Sequence, residues 1–182
     1  MKKSLIILCS LFVFGLNLNT NAQKSKSVVE IAASNNNFST LVTTVKAAGL
    51  VEALNGSGPF TIFAPTNSAF GKIDEITLNS LLERKNRSKL SNILKYHVVA
   101  NDIRAKDVVS SLKVGNGKTE LTMLNGQKLK VIKKDGKIWL RDKNGNYSQI
   151  VKTDIVGKNG VIHVIDAVVI PKAKRKYYNS HH

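Results

Sequence analysis

Cysteine is nearly absent from this chain: its 182 residues include one, Cys9, set inside an apolar leader. Three prolines and an aromatic content of 6% are also low. Acidic residues are scarce, with 12 Asp+Glu against 28 Lys+Arg, and the formal net charge is +16. Each shortage excludes a class. A lone thiol builds neither a disulfide scaffold nor a Cys-ligated zinc site. Sparse Gly and Pro exclude collagen, and a 42% apolar fraction is too high for a disordered chain. Beyond the leader no apolar run approaches the roughly 20 residues of a membrane span. The length suits one domain, since domains commonly hold about 100–200 residues.

What is present begins with an export signal. Met1-Lys2-Lys3 is basic, Leu5 to Leu18 is almost wholly apolar, and Thr20-Asn21-Ala22 supplies small residues before a cleavage point. Residues 1–22 therefore read as a signal peptide cut after Ala22. Its removal takes two lysines and the thiol, leaving 26 basic against 12 acidic residues, a charge of +14. The mature protein is expected in the periplasm, at the cell surface or outside the cell.

The remainder divides into a helical part and a strand-rich part. Phe38, Leu41, Val42 and Val45 recur at helical spacing, Ser34 to Asn37 interrupt as a polar turn, and Gly49 stops the pattern. Gly56-Ser57-Gly58-Pro59 breaks any helix, and Phe60 to Ala64 forms a short strand closed by Pro65. Thr66 is placed to cap a turn bearing Ala69 and Phe70. Leu78 to Leu94 returns to helical spacing. From Tyr96 onward the period becomes two. Asn116-Gly117, Asn125-Gly126, Asp135-Gly136 and Asn144-Gly145 are hairpin signals, with strands expected at 120–124, 128–134 and 137–141. Val161 to Ile170 reads as a buried strand bent near Asp166 and ended by Pro171. The fold class is α+β.

Chemistry-bearing motifs are few. No His-x-x-x-His pair, Gly-x-Ser-x-Gly elbow, Gly-x-Gly-x-x-Gly turn or phosphate loop occurs. His97 and His163 lie in apolar strand patterns and read as hydrogen-bonded core residues. The expectation is a protein without enzymatic activity, catalytic residues, bound metal or cofactor. The conspicuous feature is basic charge: ten Lys+Arg fall between Lys113 and Lys152, opposed by Glu120, Asp135 and Asp142. Lys128 and Lys130 alternate with Leu129 and Val131, which points to a cationic strip on one sheet face. Lys128, Lys130, Lys133, Lys134, Lys137 and Arg141 are the candidate polyanion-binding residues. An exported protein meets anionic polysaccharide or cell-surface components, possible surface proteins included, rather than nucleic acid.

Taken together, three segments closely resemble the fasciclin (FAS1) domain, a secreted or cell-surface adhesion module. They are Gly58-Pro59-Phe60-Thr61-Ile62-Phe63-Ala64-Pro65-Thr66-Asn67-Ser68-Ala69-Phe70, then Leu94-Lys95-Tyr96-His97-Val98-Val99, then Asp154-Ile155 with Asn159 to Asp166 and Val169-Ile170-Pro171. The resemblance covers residues 25–171 and leaves 172–182 as a basic polar tail. It implies a β-sheet wedge with a layer of helices. It also implies that Phe60–Phe63 and Val161–Ile165 are neighbouring strands that bury Ile62, Phe63 and Ile165. In animal matrix members the Tyr-His and Asp-Ile segments are linked to integrin binding, which makes Tyr96, His97, Asp154 and Ile155 candidate adhesion residues. Some fasciclin-like proteins carry apolar pigments, so a carrier of a pigment or lipid is the alternative. A single copy is expected to act as a monomer.

Overall fold

The computed structural model describes residues 26–173. The expected signal peptide and most of the basic tail lie outside that range. Four short helical segments open the fold: α1 (Val28–Ala33), a 3₁₀ turn (Asn36–Phe38), α2 (Ser39–Ala48) and α3 (Val51–Asn55). Ser27 and Glu30 cap α1 reciprocally, each side chain accepting the other's backbone N–H. Gly49, at φ +69°, ends α2 in the left-handed region. Strand β1 (Phe60–Pro65) leads into α4 (Asn67–Phe70), where the Thr66 hydroxyl accepts the Ala69 N–H as the sequence suggested.

The helical pattern over Leu78–Leu94 is two helices. Helix α5 (Glu75–Leu82) stops at Glu83, whose backbone is extended, and α6 (Arg87–Lys95) begins after a 3₁₀ turn. The Asn86 amide donates to the Ser80 carbonyl and pins this break. Of Tyr96-His97-Val98-Val99 only Val98–Val99 is strand (β2), because Tyr96 and His97 still bond back into α6.

A helix then follows where two-residue periodicity was expected: α7 (Ala105–Val114), burying Val108 and Leu112. Strands β3 (Lys118–Thr122), β4 (Lys128–Lys134), β5 (Lys137–Arg141), β6 (Tyr147–Gly157) and β7 (Gly160–Ile165) complete the chain. β3 starts and ends two residues earlier than expected. The Leu124 N–H donates to Val98 O at 2.7 Å, which draws the end of the run out of the ladder. β7 stops at Ile165, because the Asp166 carboxylate turns to accept the Gln149 N–H at 2.7 Å.

The seven strands form one sheet in the order β2-β1-β7-β6-β5-β4-β3. β1 and β7 are parallel neighbours, Ile62 beside Ile162 and Phe63 beside His163. Both are buried along nearly their whole length, which accounts for their continuous apolar runs. Alternation divides them between two cores. Ile62, Ala64, Ile162 and Val164 face the helices, packing with Phe38, Leu41 and Leu94. Phe63 and Ile165 face the other way, into a core with Tyr96, Leu129, Val131, Leu140, Val108 and Leu112. The result is an α+β wedge whose curled β3–β6 half carries a fully outward face.

Candidate functional sites

Tyr96 and His97 belong to the interior. Tyr96 is 0% exposed, and its hydroxyl donates to the Lys128 carbonyl at 3.0 Å, tying the end of α6 to β4. Burial, then the Asp142 carboxylate, pushes its phenol up to about 12. His97 is 2% exposed. Its Nδ1 donates to Ile93 O at 2.8 Å and its Nε2 accepts the Val169 N–H at 3.2 Å. Burial pushes the imidazole down to about 4, leaving a neutral ring with both nitrogens bonded to backbone. Neither side chain offers a surface to a partner.

Asp154 is exposed, and Ile155, half-buried, packs against the helix-side core. β6 is irregular between Lys152 and Ile155, and Asp154 takes φ +57° there, a conformation Asp tolerates better than most residues. The kink aims the Asp154 N–H at His163 Nδ1, 3.3 Å away, and its carboxylate at the Ala105 N–H that opens α7, 3.0 Å away. His163 Nε2 donates to Ile103 O at 2.8 Å. Burial pushes this imidazole down as well. Both histidines are therefore bonded to backbone rather than to a carboxylate. Among the described residues no cluster of three or more His, Cys, Asp or Glu is placed to hold a metal ion.

The outward face of β3–β6 is different in kind. Directly paired residues in an antiparallel ladder share a face, and alternate residues change face. Pairing of Lys130 with Arg141, Lys134 with Lys137, Ile132 with Trp139, and Arg141 with Tyr147 puts all of them on one side. Lys128, Lys130, Lys134, Lys137 and Arg141 thus gather together. Lys118, paired with Ile132, joins them. Lys133 does not, since it pairs with Ile138 and shares the side of Leu129 and Val131, though exposed at the strand end. Glu120 is the one carboxylate in the paired ladder on this face, and its Oε2 lies 3.5 Å from the Lys128 ammonium. Like charges stand directly opposite at Lys130–Arg141 and Lys134–Lys137, an arrangement that costs stability unless an anion intervenes.

Trp139 and Tyr147 stand on the same face. In the fold their rings meet edge to face at 6.5 Å, with the Arg141 guanidinium 5.5 Å from the Tyr147 ring centre. Trp139 shares the strand parity of Arg141 within β5, whereas Tyr147 lies beyond a loop and joins them only through the β5–β6 register. A second concavity, an apolar cavity of about 210 Å³, lies beneath α1–α3 and is lined by Val28, Val42, Val45, Leu54, Ile62 and Ile162.

Comparison with known proteins agrees with this architecture. The fasciclin domain model matches residues 36–171. Protein sll1483 of Synechocystis sp. is 46% identical over 145 residues, covering 80% of this chain and 73% of that protein. The transforming growth factor-beta-induced protein ig-h3 of Sus scrofa is 36% identical over 149 residues, covering 82% of this chain but 20% of that longer protein. A FAS1 domain pair from the insect cell adhesion molecule fasciclin I superposes with a TM-score of 0.69 at 20% identity, over 80% of this chain and 51% of that one. At that identity the superposition speaks for the fold, while the family match runs from the first 3₁₀ turn to Pro171. This chain belongs to the fasciclin domain family.

Proposed function

We propose that this protein is an exported, non-enzymatic adhesion module that holds anionic polysaccharide, or another anionic envelope component, on the outer face of β3–β6. The observation that carries this reading is the gathering of Lys118, Lys128, Lys130, Lys134, Lys137 and Arg141 on one sheet face against Glu120 in the ladder and Asp135 at the β4–β5 turn. A polyanion laid across it would relieve the Lys130–Arg141 and Lys134–Lys137 repulsions and release its own counterions. Rigid strands hold the charges in fixed register, and several weak contacts add up along a repeating polymer. A monomer suffices for this. The adhesive role of the insect fasciclin I points the same way.

The test is retention of the mature protein on an immobilised acidic polysaccharide across a salt series. Replacing Lys130, Lys134 and Lys137 together by Glu is expected to weaken binding at least tenfold at about 0.1 M salt. The slope of log affinity against log salt should fall by roughly 2–3. Lys46→Glu with Lys89→Glu, on the helical layer, should change little. Equal losses from both sets would defeat the proposal.

A second reading rests on the cavity beneath α1–α3. At about 210 Å³ it is smaller than the roughly 300–1,000 Å³ of drug-sized sites, so it suits a short apolar chain better than a bulky pigment. Protein purified from its producing cell is then expected to yield a stoichiometric apolar compound on solvent extraction. An extract without one removes the carrier reading.

A further inference from the structure

We propose that Trp139, Tyr147 and Arg141 form a sugar subsite on the outer face of β3–β6, shaped for a pyranose ring bearing a carboxylate. The inference rests on the polyanion reading above and names the ligand class for it. Charge alone would ask only for lysines on a flat face. This face instead holds an aromatic pair that the core does not use.

Tyr147 is 50% exposed although large and aromatic. Its ring stands between two surface hollows. One, of about 410 Å³, is bordered by Lys118, Glu120, Lys130 and Arg141; the other, of about 340 Å³, by Ile132, Lys134, Asp135 and Trp139, so the carboxylate of a ligand belongs in the first. A pyranose presents an apolar C–H face and a rim of hydroxyls. Aromatic rings with one apolar body and one polar handle suit both surfaces. Trp139 Nε1–H is screened from solvent and has no hydrogen-bond partner among the described residues. No hydrogen bond therefore anchors the indole, and contact alone sets its angle. A ring seated beside Tyr147 can reorient it and offer that donor an oxygen acceptor.

Charge selects the sugar further. The Arg141 guanidinium, held over the Tyr147 ring, presents a planar fork that matches a carboxylate in two parallel hydrogen bonds. Lys130, its cross-strand partner, and Lys118 border the same hollow. A uronate ring on Tyr147 places its carboxylate toward Arg141, while neighbouring residues of the chain run along the lysines. A naked polyanion gains the lysines and Arg141 but not the aromatic contact, and a neutral glycan gains the aromatics without the charge.

Trp139 is the one tryptophan in the chain, so its emission reports this site alone. The mature protein is titrated at fixed ionic strength with an oligogalacturonate, with inorganic polyphosphate of matched charge, and with cellohexaose. The expected result is a saturable change in emission with the oligogalacturonate only, at least fivefold tighter binding of it than of polyphosphate by calorimetry, and no measurable cellohexaose binding. Tyr147→Ser, which removes a ring outside both cores, should erase the preference by lowering oligogalacturonate affinity to that of polyphosphate, with circular dichroism showing that the variant remains folded. Equal binding of both anions, insensitive to Tyr147→Ser, overturns the subsite and leaves the charged face standing. Failure of both anions to bind overturns the charged face itself. Cellohexaose binding as tight as the uronate overturns the acidic specificity.

Discussion

Lowering the pH from 7 to 4 is expected to remove about 3 kcal/mol of folding stability through His97 alone. In the fold the ring is neutral because Nε2 must accept the Val169 N–H while Nδ1 donates to Ile93 O. Adding a proton at Nε2 would set two donors against each other inside the protein. The folded value of about 4 lies below the ordinary 6.5. Between those values the unfolded chain binds a proton that the folded chain refuses, so stability rises with pH across the window. His97's contribution is complete above pH 6.5 and is lost progressively as the pH falls to about 4. His163, pushed down by burial as well, adds in the same direction. Glu30 and Asp74 are held below the ordinary carboxylate range by the Ser27 and Thr77 backbone N–H groups, so their contributions are lost as the pH falls through that range and enter only at the acid end of the window. Urea denaturation at pH 8, 6, 5 and 4 measures the effect. His97→Gln should flatten the curve over that interval. Equal stability of the unaltered protein at pH 7 and pH 4.5 would show that the ring is not confined in this way.

Replacing Asn159 by Leu, close to it in size, is expected to cost about 3–4 kcal/mol. The Asn159 side chain is 5% exposed. Its Oδ1 accepts the Val28 N–H at 3.0 Å, and its Nδ2 donates to Leu54 O at 2.9 Å and Gly56 O at 2.8 Å. One amide thus joins the start of α1, the end of α3 and the β6–β7 turn. Leucine fills the space and leaves those backbone groups without their partner, and buried groups in that state cost about 1–3 kcal/mol each. A fall in melting temperature of about 8–12 °C should accompany it for a domain of this size. Asn159→Asp keeps the acceptor, turns a carboxylate on two carbonyls, and should be no better. A loss below about 1 kcal/mol for the Leu variant would mean that water reaches these groups in the native state.

How far the sequence could be read depended on how local each decision was. Asp135-Gly136 closes a two-residue hairpin with both φ angles positive, +53° and +73°, because nothing outside the turn competes. Asn125-Gly126 carries the same signal and folds otherwise. There Leu124 bonds to Val98, and the Asn125 side chain accepts the Gln127 N–H. At Asn144-Gly145 the buried Asp142 carboxylate accepts the Asn144, Asn146 and Ile170 N–H groups and shapes a longer loop. Helix α7 left only Val108 and Leu112 as its spacing signal, too little in a ten-residue segment to outweigh neighbouring strand formers.

The sequence by itself determined the basic balance, the α+β class, the central strands that begin near Phe60 and Val161, though not the end of the second at Ile165, and the alternation of Lys128 and Lys130 with Leu129 and Val131. Those are matters of composition and of one element's own period. His97 already read as interior, and the period of β4 already parted Lys133 from Lys128 and Lys130. Tertiary structure alone decided that Tyr96 turns inward to bond β4 and that Trp139 meets Tyr147 beside Arg141. Each depends on which strands lie side by side and in what register. Hydrogen bonds between residues far apart in the chain set that register, and no local window contains them.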